Sequence, residues 1–272
     1  MTANVSIVLL IILVMGCVGL FFGSVLAYAN KKLAVELNPL IHIVEEVLPK
    51  GQCGACGFAG CQAYAEAVVT DPTVPPNLCT PGKDPVARRV SELTGKKAKE
   101  VEPRIAYVKC NNPIASAPKK FNYSGIDDCV AMSLLHTGPK SCQYGCLGQG
   151  TCAKHCPFDA IEMNDKGLPI INKARCTGCG KCETICPKKI IELIPIKTKI
   201  NVSCNSKDRG QKAKHDCPVA CIGCGLCVKT CPHNAVKLVD NLAVIDKHIC
   251  LELCSDPVCM SKCPTKTIEL IR

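Results

Sequence analysis

Cys176, Cys179, Cys182 and Cys186 follow the spacing C-x2-C-x2-C-x3-C with Pro187 directly behind, and Cys221, Cys224, Cys227 and Cys231 repeat it with Pro232. Thiolates are soft donors that spread charge away from iron, so four of them at these intervals suit a [4Fe-4S] cluster. Two further triplets keep the closing Cys-Pro but widen the loops: Cys142, Cys146, Cys152 with Cys156-Pro157, and Cys250, Cys254, Cys259 with Cys263-Pro264. In paired sites of this kind the cysteine before proline ligates the other cluster of the pair. The quartets expected from spacing are therefore Cys142/Cys146/Cys152/Cys186, Cys176/Cys179/Cys182/Cys156, Cys221/Cys224/Cys227/Cys263 and Cys250/Cys254/Cys259/Cys231. Proline after the last ligand ends backbone pairing there.

A fifth quartet stands apart. Cys53, Cys56 and Cys61 sit in CGACGFAGC, and Cys79 follows the proline-rich DPTVPPN. Glycines between these cysteines let the backbone turn tightly around the sulfurs. Four thiolates also suit tetrahedral Zn²⁺, although zinc ribbons favour two C-x2-C pairs and this site has one. Five quartets taken from 25 cysteines leave Cys17, Cys110, Cys129, Cys204 and Cys217. Cys17 lies within an apolar run and reads as a small apolar filler. The other four, two from each half of a repeat, leave open a sixth cluster between the halves.

The elements that must position these ligands also show in the pattern. CPFDAIEM, CPKKIIEL, CPHNAVKL and CPTKTIEL recur, LPIINKARC mirrors LAVIDKHIC, and VKCN at Cys110 mirrors VSCN at Cys204, so residues 105–272 read as one unit duplicated. Before them, Val5 to Tyr28 is apolar over a length sufficient to cross about 30 Å of hydrocarbon as a helix. Lys31 and Lys32 follow at once, which by the positive-inside rule leaves the N-terminus outside and the cysteine domains in the cytoplasm. A cleaved signal peptide is the rival reading, helped by Ala27-Tyr28-Ala29, but the segment lacks a charged n-region and exceeds the usual apolar stretch. Gly19 and Gly23 form a G-x-x-x-G that would admit a neighbouring helix. The fold class expected is α+β: a transmembrane anchor over 1–30, a four-cysteine domain over 31–82, a helix and linker over 83–104, and ferredoxin-like units over 105–201 and 202–272.

Composition agrees with a metal-held chain. Among 272 residues there is no Trp and only 4% are aromatic, so the side chains that dominate ordinary cores are scarce. A disulfide framework fits short secreted domains with even cysteine counts, not this chain. The net charge of +10 invites a nucleic-acid reading. A thiolate-ligated cluster carries about −2, however, so the cations are better read as counter-charges, and no nucleic-acid partner is expected. One basic run, SKDRGQKAKH with Lys207, Arg209, Lys212 and Lys214, could dock an acidic redox partner. No G-x-G-x-x-G opens a helix after a strand and no P-loop appears, so hydride chemistry is expected to lie on other chains.

The anchor, the CGACGFAGC domain, the segment YSGIDDC…SCQYGCLGQGTCAKHCPFDAI and the tandem ferredoxin repeats together resemble, over the whole chain, the RnfB family of iron–sulfur subunits of the Rnf complex, in a long form with two ferredoxin units. The resemblance implies a non-hydride-transferring redox subunit of a membrane complex that couples electron flow from reduced ferredoxin to NAD with Na⁺ or H⁺ translocation. Its partners would be soluble ferredoxin and the membrane and cytoplasmic subunits of the complex. A polyferredoxin subunit of a membrane hydrogenase or formate dehydrogenase is the alternative within the same chemistry. A protein that uses clusters as staples, stores or sensors is the alternative outside it.

Overall fold

The computed structural model describes residues 2–33, 38–98, 102–115, 117–254 and 256–271. They form two compact units, residues 1–41 and 42–272. The first unit is dominated by helix α1 (Thr2–Leu33). Its side chains are exposed on every side from Ile12 onward, including Leu20, Phe21 and Leu26. A helix apolar all round has no face to turn toward water and suits hydrocarbon. The most apolar stretch, the 21 residues Ile12–Lys32, spans roughly 31 Å at 1.5 Å per residue, close to the hydrocarbon thickness.

After α2 (Pro39–Val47), the second unit opens with two helices, α3 (Cys61–Thr70) and α4 (Lys83–Thr94). Within the stretch 83–104, expected as a short helix and linker, Lys96 reaches back onto the end of α3. Val90 is fully buried, and the Lys96 ammonium donates to the carbonyls of Val68 (2.5 Å), Asp71 (2.6 Å) and Val74 (3.1 Å). A cation on the last carbonyls of a helix satisfies acceptors that the helix itself leaves open.

The rest of the chain runs β1 (Arg104–Val108), α5 (Cys129–Leu134), α6 (Thr151–Lys154), β2 (Ile161–Met163), β3 (Pro169–Ile171), α7 (Lys181–Ile185) and β4 (Ile191–Pro195). Then come β5 (Ile200–Val202), α8 (Gly210–Asp216), α9 (Leu226–Thr230), β6 (Val236–Val239), β7 (Leu242–Ile245), α10 (Lys247–Leu253), α11 (Val258–Ser261) and β8 (Ile268–Leu270). Pairing is antiparallel and nested: β1 with β4 around β2 with β3, then β5 with β8 around β6 with β7. The duplicated sequence thus forms a duplicated topology. β5 begins at Ile200 and pairs within the second half, so this half starts two residues before the boundary read at 202.

Two-stranded ribbons are marginal alone and need something to pack against. Each half packs a small aliphatic core, Ile105, Ile190, Ile191 and Ile194 in one and Ile200, Val202, Val236 and Ile245 in the other, and in both the cysteines are part of the buried set. The halves are tied by polar contacts related by the repeat. Glu192, in CPKKIIEL, accepts from Asn201 Nδ2 (2.8 Å) and Lys247 Nζ (2.9 Å) of the second half. Glu269, its counterpart in CPTKTIEL, accepts from Asn111 of the first half. Ser203 Oγ donates to Glu269 Oε2 (2.9 Å) and accepts from Tyr107 Oη (2.5 Å).

Candidate metal centres

In the first cysteine domain, Cys61 opens α3 and its N–H donates to Gln52 Oε1 at 2.8 Å, which closes the glycine-rich loop onto the helix. Tyr64, one turn on, is buried and donates to Pro75 O (3.0 Å) while accepting from Leu78 N (3.3 Å). This pins the proline-rich loop so that Cys79 returns to the other three. Burial pushes the Cys79 thiol up to about 11, with Cys61, Cys53 and Cys56 adding to the shift.

The repeats build their ligand loops from one recurring turn. In Cys156-Pro-Phe-Asp, Cys186-Pro-Lys-Lys, Cys231-Pro-His-Asn and Cys263-Pro-Thr-Lys, the residue three after the cysteine has φ between +47° and +52°. That left-handed residue throws the next N–H onto the sulfur: Ala160 N to Cys156 Sγ (3.4 Å), Ala235 N to Cys231 Sγ (3.3 Å) and Thr267 N to Cys263 Sγ (3.4 Å). Such bonds favour the thiolate form that iron requires.

Cys156, Cys176, Cys179 and Cys182 line one hollow, and Cys221, Cys224, Cys227 and Cys263 line another. Cys259 has Cys231, Cys250 and Cys254 beside it, close enough for their charge to act on it. These three groups match the quartets read from spacing.

The remaining cysteines are grouped differently from the expectation. A third hollow is lined by Cys129, Cys146, Cys152 and Cys186, with Cys129 in the place expected for Cys142. Cys142 instead faces Cys110, Cys204 and Cys217 around a hollow between the two halves. The reason is an exchange within the repeat. GCLGQGTCAKHCP (145–157) aligns without a gap on ACIGCGLCVKTCP (220–232), which sets Gln149 where Cys224 stands. Gly148 and Gly150 keep the positive φ of Gly223 and Gly225, so the loop persists without its middle ligand. Cys129 replaces that ligand from an insertion: 31 residues lie between Cys110 and Cys142, against 12 between Cys204 and Cys217. Asp128 caps α5 by accepting from Val130 N (2.8 Å) and Ala131 N (2.9 Å), and buried Thr151 takes the Cys129 N–H at 2.7 Å while donating to Asp128 at 2.9 Å. The same alignment makes Cys142 the counterpart of Cys217, four residues ahead of the next cysteine in both halves.

Consecutive groups stand near one another. Cys53 and Cys179 share a side-chain hydrogen bond that holds the Cys53 thiol down near 6 and pushes Cys179 up, and a β-carbon on Gly51 would lie 3.2 Å from the Phe158 ring. Cys152 stands beside Cys182. Cys146 N donates to Cys110 Sγ and Cys221 N to Cys204 Sγ, each at 3.4 Å. Cys227 stands beside Cys259. Cys17 belongs to the other unit, in α1.

The residues fit iron–sulfur clusters better than single ions. All 25 cysteines are free thiols, and among the described residues no three ligating side chains converge closely enough for one metal ion. The sulfurs instead ring hollows. Burial pushes Cys146, Cys182 and Cys217 up to about 12, so a metal that takes these sulfurs must displace a proton from each. The basic run over 206–215 is partly neutralised, since Lys207 pairs with Asp240 at 2.8 Å and Lys212 with Asp208 at 2.5 Å.

Comparison with known proteins agrees with this chemistry. Residues 48–81 match a family described as an Fe-S cluster domain, and residues 141–190 and 168–232 match two families of 4Fe-4S dicluster domains. The chain is 55% identical to the B component of the proton-translocating ferredoxin:NAD(+) oxidoreductase complex of Clostridium ljungdahlii, over 97% of this chain and 93% of that one. It is 39% identical to the Na(+)-translocating counterpart of Acetobacterium woodii over 94% and 76% of the two chains. With the B component of the ion-translocating oxidoreductase complex of Methanosarcina acetivorans, identity is 38% over 97% and 99%. On identity and coverage of this extent, joined to the same sequence of cysteine domains, the chain belongs to the RnfB family of the ferredoxin:NAD oxidoreductase complexes.

Proposed function

We propose that this chain is the electron relay of an ion-translocating ferredoxin:NAD oxidoreductase complex in the cytoplasmic membrane, and that it holds six [4Fe-4S] clusters in a line. Each cluster, when bound, takes up and releases one electron, so a row of them supplies a path through the chain. The observation that carries this reading is that 24 of the 25 cysteines sort into six quartets whose neighbours stand near one another in series. The order is Cys53/Cys56/Cys61/Cys79, then Cys156/Cys176/Cys179/Cys182, then Cys129/Cys146/Cys152/Cys186, then Cys110/Cys142/Cys204/Cys217, then Cys221/Cys224/Cys227/Cys263, then Cys231/Cys250/Cys254/Cys259.

The protein's own contribution is placement. Swapped cysteines bind each pair of centres into one fold, the left-handed turns aim N–H groups at sulfur, and the Glu192 and Glu269 contacts hold the two halves around the fourth quartet. Helix α1 anchors the chain with its N-terminus outside and the cysteine domains in the cytoplasm, where thiols stay reduced. Soluble ferredoxin is the donor, and the acceptors are other subunits of the complex. Iron analysis of the anaerobically purified chain tests the count: about 24 iron atoms are expected. Cys110→Ala is expected to leave about 20, and iron unchanged by that substitution removes the fourth cluster from the account.

A further inference from the structure

Lys140 is the one charged side chain in the buried set of the described residues, with 3% of its surface exposed. It lies on the return of the insertion, bridged to Lys119, two residues before Cys142. Its Nζ donates to Asn112 O at 3.3 Å, and the side chain lines the hollow shared by Cys110, Cys142, Cys204 and Cys217. Its charge reaches both Cys142 and Cys146.

An ammonium has three protons to donate, and one long bond to a carbonyl engages one of them. Burying a charge is unfavourable unless an opposite charge stands by. The carboxylates of the junction are engaged elsewhere: Glu192 by Lys109 and Lys247, Glu269 by Asn111 and Ser203. Among the described residues no carboxylate pairs with Lys140. What remains beside it is the sulfur quartet, which carries net negative charge once it holds iron. The repeat underlines the asymmetry, because the position matching Lys140 in the second half is His215, whose side chain is 84% exposed. Lys109, which lines the same hollow, has a side chain 20% exposed and pairs with Glu192, while Lys188 donates to the carbonyls of Thr137 and Gln143.

We propose that Lys140 is the built-in counter-charge of the fourth cluster, a positioning residue that makes this cluster more readily reduced than it would be without the ammonium. The inference rests on the six-cluster reading given above. Reduction adds one electron to the cluster, taken from a neighbouring cluster that is oxidised by one, with no proton required. The ammonium stabilises the added negative charge, and because it is buried, water and salt screen it little.

The test is a redox titration of the anaerobically purified chain followed by electron paramagnetic resonance, on wild type, Lys140→Met, Lys140→Arg and Cys110→Ala. The signal that Cys110→Ala removes identifies the fourth cluster. In Lys140→Met that signal is expected at full iron content with its one-electron equilibrium at least tenfold less favourable, a shift of about 59 mV to lower potential. Lys140→Arg is expected to keep it near the wild-type position. Should Lys140→Met instead lose about four iron atoms while Lys140→Arg retains them, the charge is what holds the cluster and the proposal stands. Full iron with an unmoved signal in Lys140→Met overturns it, and so does loss of iron in both variants. A Cys110→Ala chain with unchanged iron removes the cluster itself, a failure of the parent reading that these potentials cannot imitate.

Discussion

Removing Cys142 together with Cys146 distinguishes the two ways of grouping the ligands in the first ferredoxin unit. By spacing alone both belong to one quartet, so a chain lacking both loses one cluster and keeps about 20 of 24 iron atoms. In the structure they belong to different hollows, Cys146 with Cys129, Cys152 and Cys186, and Cys142 with Cys110, Cys204 and Cys217. The Cys142→Ala/Cys146→Ala chain is therefore expected to keep about 16. The complementary doubles run the other way: Cys129→Ala/Cys146→Ala and Cys110→Ala/Cys142→Ala each strike one hollow twice and are expected to keep about 20. Alanine is the right replacement because a serine oxygen could still ligate iron. Iron and acid-labile sulfide, measured per chain on protein kept free of oxygen, give the count. A Cys142→Ala/Cys146→Ala chain that retains about 20 iron atoms refutes the grouping and moves Cys129 to the quartet with Cys110, Cys204 and Cys217.

Three further outcomes follow from single contacts. A β-carbon on Gly178, where φ is +69°, would collide with Arg104 O, whereas Gly57, at φ +87°, has no atom within 4 Å of that point. Gly57→Ala should therefore cost only the left-handed strain of about 1–2 kcal/mol. Gly178→Ala should cost more and release the iron of the Cys176 quartet, both seen by thermal unfolding with iron analysis, and equal effects would contradict this. Thr151→Val keeps the shape but leaves the Cys129 N–H without its acceptor at a position 2% exposed, so a loss of about 1–3 kcal/mol and faster bleaching of one cluster in air are expected. An unchanged melting temperature and bleaching rate would count against the role given to Thr151. Reversing Lys207, Arg209, Lys212 and Lys214 to glutamate should slow reduction by ferredoxin at low salt and leave it nearly unaffected at high salt, read by stopped-flow absorbance. An unchanged rate at low salt excludes this run as the docking face.

Much of this was legible because cysteine spacing and the Cys-Pro repeats report on ligand geometry directly. Cys221, Cys224 and Cys227 with Cys263 come together as the run of short intervals implies, and the nested strand order follows the duplicated sequence. Cys129 was harder to place because its partners lie within a loop that has no cysteine at the matching position. The signal was nevertheless present in Gln149, which falls opposite Cys224 when the two halves are aligned without a gap. Lys140 gave no signal at all. A lysine between proline and serine reads as a surface charge, and only the closing of the insertion over it, with Lys119 bridged to Lys140, takes it out of water. The packing of α4 was hidden for a similar reason. A charged stretch without cysteines looks like a linker until Val90 is seen to be buried and Lys96 to reach α3.

The central claim is that the cysteines form a continuous row of six one-electron centres, and counting electrons tests it most directly. Anaerobic coulometric titration of the purified chain to low potential should take up about six electrons per chain, one for each quartet. An uptake of about five or fewer on protein that carries its full iron, or a colourless chain folded around zinc with no reducible centre, would contradict it.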